Sequence, residues 1–247
     1  MRRFFTEPSN INGDTAVILE DAAHITRVLR RKPGDRVLLF DGTGYEYTAA
    51  LTALDAKECT AHIIEKRFSL QEPKLKITIF QGIPKSGKME SIIQKSVELG
   101  VYAIVPTAMQ RCVAKLDNEK KELEKQKRWN KVSKEAAKQC GRGLVPHVAK
   151  SMSFKEALGA LRGFDLALMP YEELGHSGDR SLKRVLQAVS PVHVGVLIGP
   201  EGGFSDEEAT LAKEAGLCMI GLGRRILRTE TVASAIISMM MYEYDEI

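Results

Sequence analysis

The sequence predicts an α/β protein in which a small N-terminal β-barrel precedes a larger domain built on a parallel sheet. Two patterns along the 247 residues support this. Up to residue 67, short apolar strands are separated by turn residues, as in small barrels. From residue 75 onward, strands alternate with amphipathic helices, which is typical of a parallel sheet covered on both faces. The segment FSLQEPK at 68–74 is the predicted linker, giving domains 1–70 and 71–247.

The N-terminal domain combines short strands with one helix. The turns Pro33-Gly34-Asp35 and Asp41-Gly42-Thr43-Gly44 punctuate the pattern. A helix over 21–31 would place its apolar side chains on one face. The predicted strands are Thr15–Leu19, Arg36–Phe40, Glu46–Leu54 and Cys59–Arg67.

The second domain alternates strands and helices to the end of the chain. Its predicted strands are Leu75–Phe80, Val101–Pro106, Phe164–Met169, Val194–Ile198 and Leu217–Leu222. Its predicted helices are Ser86–Leu99, Asp117–Gln139, Phe154–Leu161, Leu182–Val189, one that begins at Ser205, and Thr229–Tyr244.

Charge and composition narrow the function. The net charge is only +4, but residues 111–150 carry twelve Lys/Arg against five Asp/Glu. A second basic cluster lies at 27–36, and two such patches favour a polyanion such as nucleic acid. Interleaved acids at 120–131 indicate a solvated helix surface there instead.

Several functional classes are not expected. The four cysteines are far apart in sequence, so neither a zinc nor a redox site is predicted, and no metal is expected. The apolar run 232–242 is too short to span a bilayer, and the first residues lack the apolar segment of a signal peptide. We therefore expect a cytoplasmic protein with no membrane partner.

The sequence VGVLIGPEGGFSDEE at 194–208 predicts a buried strand, a glycine-rich turn and a helix. Ser205 and Glu208 form an S-x-x-E capping box at the start of that helix. Ligands bind at this edge of open parallel sheets, and glycines allow close approach to the backbone. A plain strand-to-helix connection fits these residues equally well.

Two other turns carry candidate site residues. The segment GIPKSGKM at 82–89 nearly matches a phosphate-binding loop, but Met89 replaces the hydroxyl that would hold magnesium. Lys85 and Lys88 are therefore predicted to contact phosphates of a large polyanion. In IGLGRRILRTET at 220–231, Arg224, Arg225 and Arg228 precede a helix, where they suit an anion or an electron-rich base.

Several segments closely resemble the RsmE family, the 16S ribosomal RNA uridine N3-methyltransferases of the SPOUT superfamily. The specific segments are IGPEGGFS at 198–205 and LGRRILRTET at 222–231. KSGKMESIIQKSVELGV at 85–101, RWNKVSKEAAKQCGR at 128–142, and the N-terminal RRFF, HITRVLRRKPGD and FDGTG are also similar. Arg224 stands where proline is expected and Val232 where alanine is expected. The resemblance covers nearly the whole chain.

The resemblance implies a SPOUT fold with a C-terminal trefoil knot, which is an exception to the rule that chains do not thread loops. It also implies a PUA-like RNA-binding barrel at the N-terminus, and a homodimer with the active site at the subunit interface. The implied cofactor is S-adenosylmethionine and the implied partner is 16S ribosomal RNA of the small subunit.

The family's functional residues can be carried over to matching positions. The implied cofactor-binding residues are Leu168, Met169, Pro170, Ile198, Gly199, Pro200, Gly202, Gly203, Leu222, Gly223, Ile226, Leu227, Arg228 and Thr231. The expected RNA-binding residues are Arg3, Arg27, Arg30, Arg31, Lys85, Lys88 and Arg142.

The expected reaction is attack by uridine N3 on the sulfonium methyl group, with loss of the N3 proton. Arg228 or Arg225 would stabilise the charge that spreads onto the flanking carbonyl oxygens. Glu201 or Glu230 is the candidate base, with water as the alternative. Two other functions stay open: a non-catalytic RNA-binding or ribosome-assembly factor, and a SPOUT methyltransferase acting on ribose 2′-oxygen or transfer RNA.

Overall fold

The structure, a computed structural model, describes residues 1–85, 87–113, 118–174 and 181–246. Contacts within the chain define two compact units, Met1–Glu72 with Lys134–Val145, and Pro73–Ser133 with Pro146–Ile247. Ser86 and Asp117, the predicted first residues of two helices, lie outside the described residues. The predicted boundary near residue 70 stays a prediction, and the sequence pattern did not indicate that 134–145 joins the first unit.

The first unit is a six-stranded sheet with the order β1-β4-β5-β6-β3-β2. Every pairing is antiparallel except that of β1 with β4. The hydroxyl of Thr6, just after the edge strand β1, donates to the carbonyl of Val17 at 2.6 Å. Val17 lies in β3, next to the opposite edge strand, so the sheet curls on itself. Its strands are β1 (Arg3–Phe5), β2 (Ile11–Asn12), β3 (Thr15–Ile18), β4 (Arg36–Phe40), β5 (Tyr45–Leu54) and β6 (Cys59–Phe68).

The helix predicted at 21–31 is shorter than expected, a single π-helical turn over His24–Val28. Ile25, its buried side chain, packs into the apolar core of the sheet with Leu39 and Leu51. A 3₁₀ turn at Pro8–Asn10 and the strands β1 and β2 were not predicted, because segments of two or three residues show no periodicity.

The second unit is built on a seven-stranded sheet, and every recorded pairing in it is parallel, as predicted. Five of the seven strands were predicted, and the two-residue strands at 147–148 and 152–153 were not. The order is β10-β8-β7-β12-β11-β13, with β9 also paired to β8. The strands are β7 (Lys76–Gly82), β8 (Ala103–Ala108), β9 (His147–Val148), β10 (Met152–Ser153), β11 (Leu166–Pro170), β12 (His193–Ile198) and β13 (Cys218–Ile220).

Helices connect these strands at positions close to the predicted ones. They are α1 (Lys88–Glu98), α2 (Glu119–Cys140), α3 (Phe154–Leu161), α4 (Leu182–Gln187), α5 (Asp206–Glu214) and α6 (Thr229–Glu243), with a 3₁₀ turn at Glu172–Leu174. Since all strands run in parallel, the loops after β7, β8, β11, β12 and β13 lie at one edge of the sheet. The strand order does not test the trefoil knot, which stays a prediction.

Arg3 and Arg142 are bound inside the first unit. The Arg142 guanidinium donates to the Glu72 carboxylate at 2.8 Å, and both side chains are buried, with exposures of 5% and 6%. Arg3 binds the buried Glu46 carboxylate and also donates to the carbonyl of Arg142. Buried in this way, Arg142 has no free face for a phosphate, so the structure gives it a structural role in place of the predicted RNA contact. Arg3 keeps 14% of its side chain exposed in its pair with Glu46, and its RNA contact stays a prediction.

Arg142→Ala should lower the free energy of unfolding by about 3–5 kcal/mol, because it leaves the Glu72 carboxylate buried without its cation. Urea unfolding followed by circular dichroism measures this change. Arg67→Ala is the matched control, since the Arg67 side chain is half exposed in its pair with Glu46. That variant should lose about 1 kcal/mol or less. Equal losses in the two variants would contradict the structural role of Arg142.

Candidate functional site

Three turns at the carboxyl edge of the parallel sheet surround a cavity of about 360 Å³. They follow β11, β12 and β13, and the start of α6 completes the wall. The lining residues are Pro170–Glu173, Ile198–Glu201, Gly203, Phe204, Leu222–Leu227, Thr229 and Val232. The two conspicuous turns of the sequence, at 199–203 and 222–228, therefore meet across one cavity.

Some residues predicted to bind a cofactor do not line this cavity. Leu168 and Met169 are fully buried in β11, between β12 and β13, where they belong to the core. The predicted residues that do line it are Pro170, Ile198, Gly199, Pro200, Gly203, Leu222, Gly223, Ile226 and Leu227. Gly202, Arg228 and Thr231 lie beside it, as does the candidate base Glu230. Arg228 precedes α6 and has an exposed side chain.

The turn after β12 is packed directly onto the end of β7. A Cβ atom on Gly82 would lie 2.6 Å from the nitrogen of Pro200 and 2.9 Å from the carbonyl carbon of Gly199. These are backbone atoms, so no side-chain rotation would relieve the clash. The absence of a side chain at Gly82 is thus a condition for the observed position of the turn.

A buried chain of hydrogen bonds fixes the same turn to α6. The Gln81 side-chain amide donates to the Thr229 hydroxyl at 2.8 Å, and that hydroxyl donates to the carbonyl of Gly199 at 2.7 Å. Gln81 is fully buried and Thr229 nearly so. Breaking such bonds leaves unpaired polar groups in the interior, which costs about 1–3 kcal/mol per group. The chain therefore holds the Gly199 peptide in one orientation.

The predicted capping box of α5 is confirmed. The Ser205 hydroxyl accepts from the backbone N–H of Glu208 at 3.2 Å, and the Glu208 carboxylate accepts from the N–H of Ser205 at 3.0 Å. Gly203 enters the helix with a φ of +67°, a left-handed conformation that favours glycine. The second oxygen of Glu208 accepts from the N–H of Gln110 at 2.8 Å. This buried carboxylate thus also fixes the loop after β8.

Both candidate bases share one cation. The Lys88 ammonium lies 3.1 Å from the Glu201 carboxylate and 3.5 Å from that of Glu230. Burial raises the pKa of Glu201, but hydrogen bonds from its own backbone N–H, from Lys88 and from the N–H of Lys85 outweigh this and lower it. The hydrogen bond with Glu201 is the main reason that the pKa of Lys88 is raised. Glu201 is consequently ionised at neutral pH and is a weak base.

The predicted RNA-binding residues differ in their surroundings. Arg27 and Arg30 are exposed, and Arg30 has a left-handed backbone with φ of +50°. Arg31 is paired with Asp35 at 3.6 Å. Lys85 is exposed, whereas Lys88 is occupied by the two glutamates. Arg31 and Lys88, which are bound to carboxylates, are therefore less available to RNA than the exposed residues.

Sequence reasoning missed several residues at this edge. Tyr171, Glu172 and Glu173 line the cavity, and their position directly after a predicted strand was the available signal. Gln81 in β7 bonds to Thr229 at the start of α6, and Arg111 in the loop after β8 bonds to Gly202 in the turn after β12, but neither belongs to a motif.

Two negative findings apply to the part of the chain that the structure describes. No group of three or more His, Cys, Asp or Glu side chains is arranged to hold a metal ion among these residues. Nor do they include a helix that combines the length and apolar character needed to cross a membrane.

Comparison with protein families matches both parts of the chain. Residues 71–241 match a family profile described as an RNA methyltransferase domain, and residues 20–64 match one described as an RNA methyltransferase PUA domain. The ribosomal RNA small subunit methyltransferase E of Bacillus subtilis is 34% identical over 98% of this chain and 97% of its own length. The protein of the same name from Synechocystis is 31% identical over 93% of this chain and 73% of its own.

Solved structures agree with these matches. A ribosomal RNA small subunit methyltransferase E from Neisseria gonorrhoeae, bound to S-adenosyl methionine, superposes with a TM-score of 0.83 at 32% identity, covering 98% of this chain and 97% of the other. A putative methyltransferase from Legionella pneumophila, in complex with the same cofactor, gives 0.82 at 30% identity over 97% and 96%.

Gly82→Ala should destabilise the protein by about 1–3 kcal/mol, because the added methyl group forces the backbone of the 199–200 turn to move. Gly159→Ala is the matched control, since it lies in α3 and a Cβ atom there would have no neighbour within 4 Å. The control should be unchanged or more stable by roughly 0.5–1 kcal/mol. Thermal and urea unfolding measure both. A Gly82→Ala variant as stable as the control would contradict the close approach.

Proposed function

Because the chain belongs to the RNA methyltransferase family and shares it with the ribosomal RNA small subunit methyltransferase E proteins, we propose that it methylates N3 of a uridine in 16S ribosomal RNA. S-adenosylmethionine is the proposed methyl donor, since the solved relatives from Neisseria gonorrhoeae and Legionella pneumophila bind it. The observation that carries the proposal is the cavity formed where the turns after β11, β12 and β13 meet.

The cavity has the character that such a cofactor needs. Its volume falls within the usual range for small-molecule sites, about 300–1,000 Å³. Ile226, Leu227 and Val232 supply an apolar wall for an adenine ring, and the backbone of the 199–203 turn supplies polar groups. The bound cofactor carries an electrophilic methyl group on its sulfonium. The turns would hold it, with the Gly199 carbonyl fixed by Thr229.

The residues of this chain would lower the barrier by alignment and by charge. Holding N3 in line with the methyl group is worth roughly 7–11 kcal/mol in favourable cases. As N3 loses its proton, negative charge spreads onto the flanking carbonyl oxygens. Arg228 is placed at the start of α6 with an exposed guanidinium, and it would stabilise this charge. Arg225, in the lining, is the second candidate.

Glu201 and Glu230 suit anchoring better than proton removal. An effective general base has a pKa near the operating pH, whereas that of Glu201 is lowered. Lys88 pairs with both carboxylates and so links the turn at 199–203 to the first turn of α6. Water would then accept the N3 proton, although the assignment of the base stays a prediction.

The proposal includes a division of labour and a homodimer. Residues 1–70 would bind RNA and residues 71–247 would carry the reaction, which the separate family matches at 20–64 and 71–241 support.

On α6, Met239 and Tyr242 are 40% and 76% exposed, and such apolar side chains suit a subunit contact. The solution mass from light scattering decides this point. With ribosomal RNA as its substrate, the protein would act in the cytoplasm.

Two other functions are distinguishable. A non-catalytic RNA-binding or assembly factor would not need a cofactor cavity, so calorimetric titration with S-adenosylmethionine separates it from an enzyme. A methyltransferase acting on ribose 2′-oxygen or transfer RNA would share the cavity. The family matches favour ribosomal RNA, and only the chemistry of the product separates base from ribose methylation.

The decisive experiment maps modified nucleotides in 16S ribosomal RNA from cells with and without the gene. An N3-methyluridine present only with the gene is the expected result, and re-expression should restore it. An identical modification pattern in both strains, or a lost 2′-O-methyl group, would overturn the proposal.

Arg228→Ala should reduce the rate of methyl transfer by about 10²–10³-fold, as expected for the loss of one donor to a developing negative charge. Affinity for S-adenosylmethionine should stay nearly constant, because Arg228 does not line the cavity. Single-turnover kinetics and calorimetry measure the two quantities. Arg162→Ala, an exposed arginine after α3, is the control. Equal losses in rate and affinity would make Arg228 a cofactor-binding residue instead.

A further inference from the structure

Two cationic residues flank the turn after β12. Lys85 follows β7 and Arg111 follows β8, and these neighbouring parallel strands end at the same edge. The backbone N–H of Lys85 donates to both oxygens of Glu201, at 3.2 and 3.3 Å. The Arg111 guanidinium donates to the carbonyl of Gly202 at 3.1 Å. Both residues therefore adjoin consecutive positions of one turn.

The charged ends of both side chains are exposed to solvent. Neither forms an ion pair with any carboxylate of the described residues, in contrast to Lys88 and Arg142. Arg111 uses one N–H on Gly202, and the remaining donors of its planar fork match the oxygens of a phosphate. The nearest acid in the turn, Glu201, is paired with Lys88 at 3.1 Å, which weakens its repulsion of a phosphate.

Arg111 is also held in place by its neighbours. The preceding N–H, that of Gln110, donates to the buried Glu208 carboxylate at 2.8 Å. A Cβ atom on Gly202 would lie 3.1 Å from the Cβ of Arg111, so glycine at this position lets the arginine stem pack on the turn. The absence of a side chain at Gly202 thus gives room to Arg111.

We propose that Lys85 and Arg111 bind phosphates of the substrate RNA strand beside the turn at 199–203. This inference rests on the proposed function and names the residues that hold the RNA backbone next to the reacting base. Arg111 takes the role that the sequence suggested for Lys88, whose charge is already used by Glu201 and Glu230.

The test measures binding of unmodified 16S ribosomal RNA, transcribed in vitro, over a series of KCl concentrations. For the double variant Lys85→Ala, Arg111→Gln, the slope of log affinity against log salt should flatten by roughly 1.4–1.8, or about 0.7–0.9 per lost phosphate contact. Near physiological salt the dissociation constant should rise about tenfold. The matched control is Lys120→Ala, Lys127→Ala on α2, which removes the same charge from exposed positions and should leave the slope unchanged.

Lys85→Ala alone keeps the test valid if the double variant folds poorly, because Lys85 is exposed and its side chain forms no hydrogen bond or ion pair with the described residues. It should flatten the slope by about 0.7–0.9. Unchanged slopes in Lys85→Ala and in the double variant would overturn the inference, as would equal flattening in the control. If the wild-type protein methylates the RNA while those slopes are unchanged, the inference fails and the proposed function stands. If the slopes flatten but the wild-type protein does not methylate the RNA, the phosphate contacts stand and the proposed function fails.

Discussion

The contact on which the site depends is the packing of the 199–200 turn against the end of β7. Gly82 permits backbone to approach backbone, and Gln81, the residue before it, starts the hydrogen-bond chain that reaches Gly199 through Thr229. Three segments that are distant in sequence are joined in this way, and Gln81 and Thr229 are buried. A shift of the turn would break these bonds and leave buried polar groups without their partners. The cavity wall is therefore rigid where a ligand would meet backbone atoms.

Electrostatics around this turn follow from a single lysine. Lys88 binds Glu201 and Glu230, so one ammonium offsets part of the negative charge of the two carboxylates. At the exposed edge this leaves the charge of Lys85 and Arg111 available. An arrangement of this kind separates two tasks: the ion pairs connect the turn to α6, and the remaining cations attract an anion. The lowered pKa of Glu201 belongs to the first task, since a strongly paired carboxylate is a poor proton acceptor.

What could be predicted from the sequence was local. The strand–turn–helix unit at 194–208, its capping box and the alternation of strands and helices depend on neighbours within a few residues, and they are confirmed. The assignment of 134–145 to the first unit depends on distant partners, such as the Glu72 carboxylate that Arg142 binds. No pattern within 128–142 distinguishes an arginine with such a partner from one that faces solvent. The burial of Arg142 and the pairing of Arg3 with Glu46 therefore emerged only from the fold.

The site shows the same division at a finer scale. The turns at 199–203 and 222–228 could be predicted because turn residues are recognisable in the local sequence. Which way each residue of a turn faces depends instead on the residues that pack against it. Leu168 and Met169 are fully buried, and Met169 packs with Phe80 and Leu197 in the apolar core. An added Cβ atom on Gly202 would meet Arg111. A count of basic residues in the sequence likewise does not show which of them form ion pairs with carboxylates. Lys88 and Arg31 resemble Lys85 and Arg27 in sequence, yet only the first two are bound to carboxylates, and that difference decides which cations remain free to hold RNA.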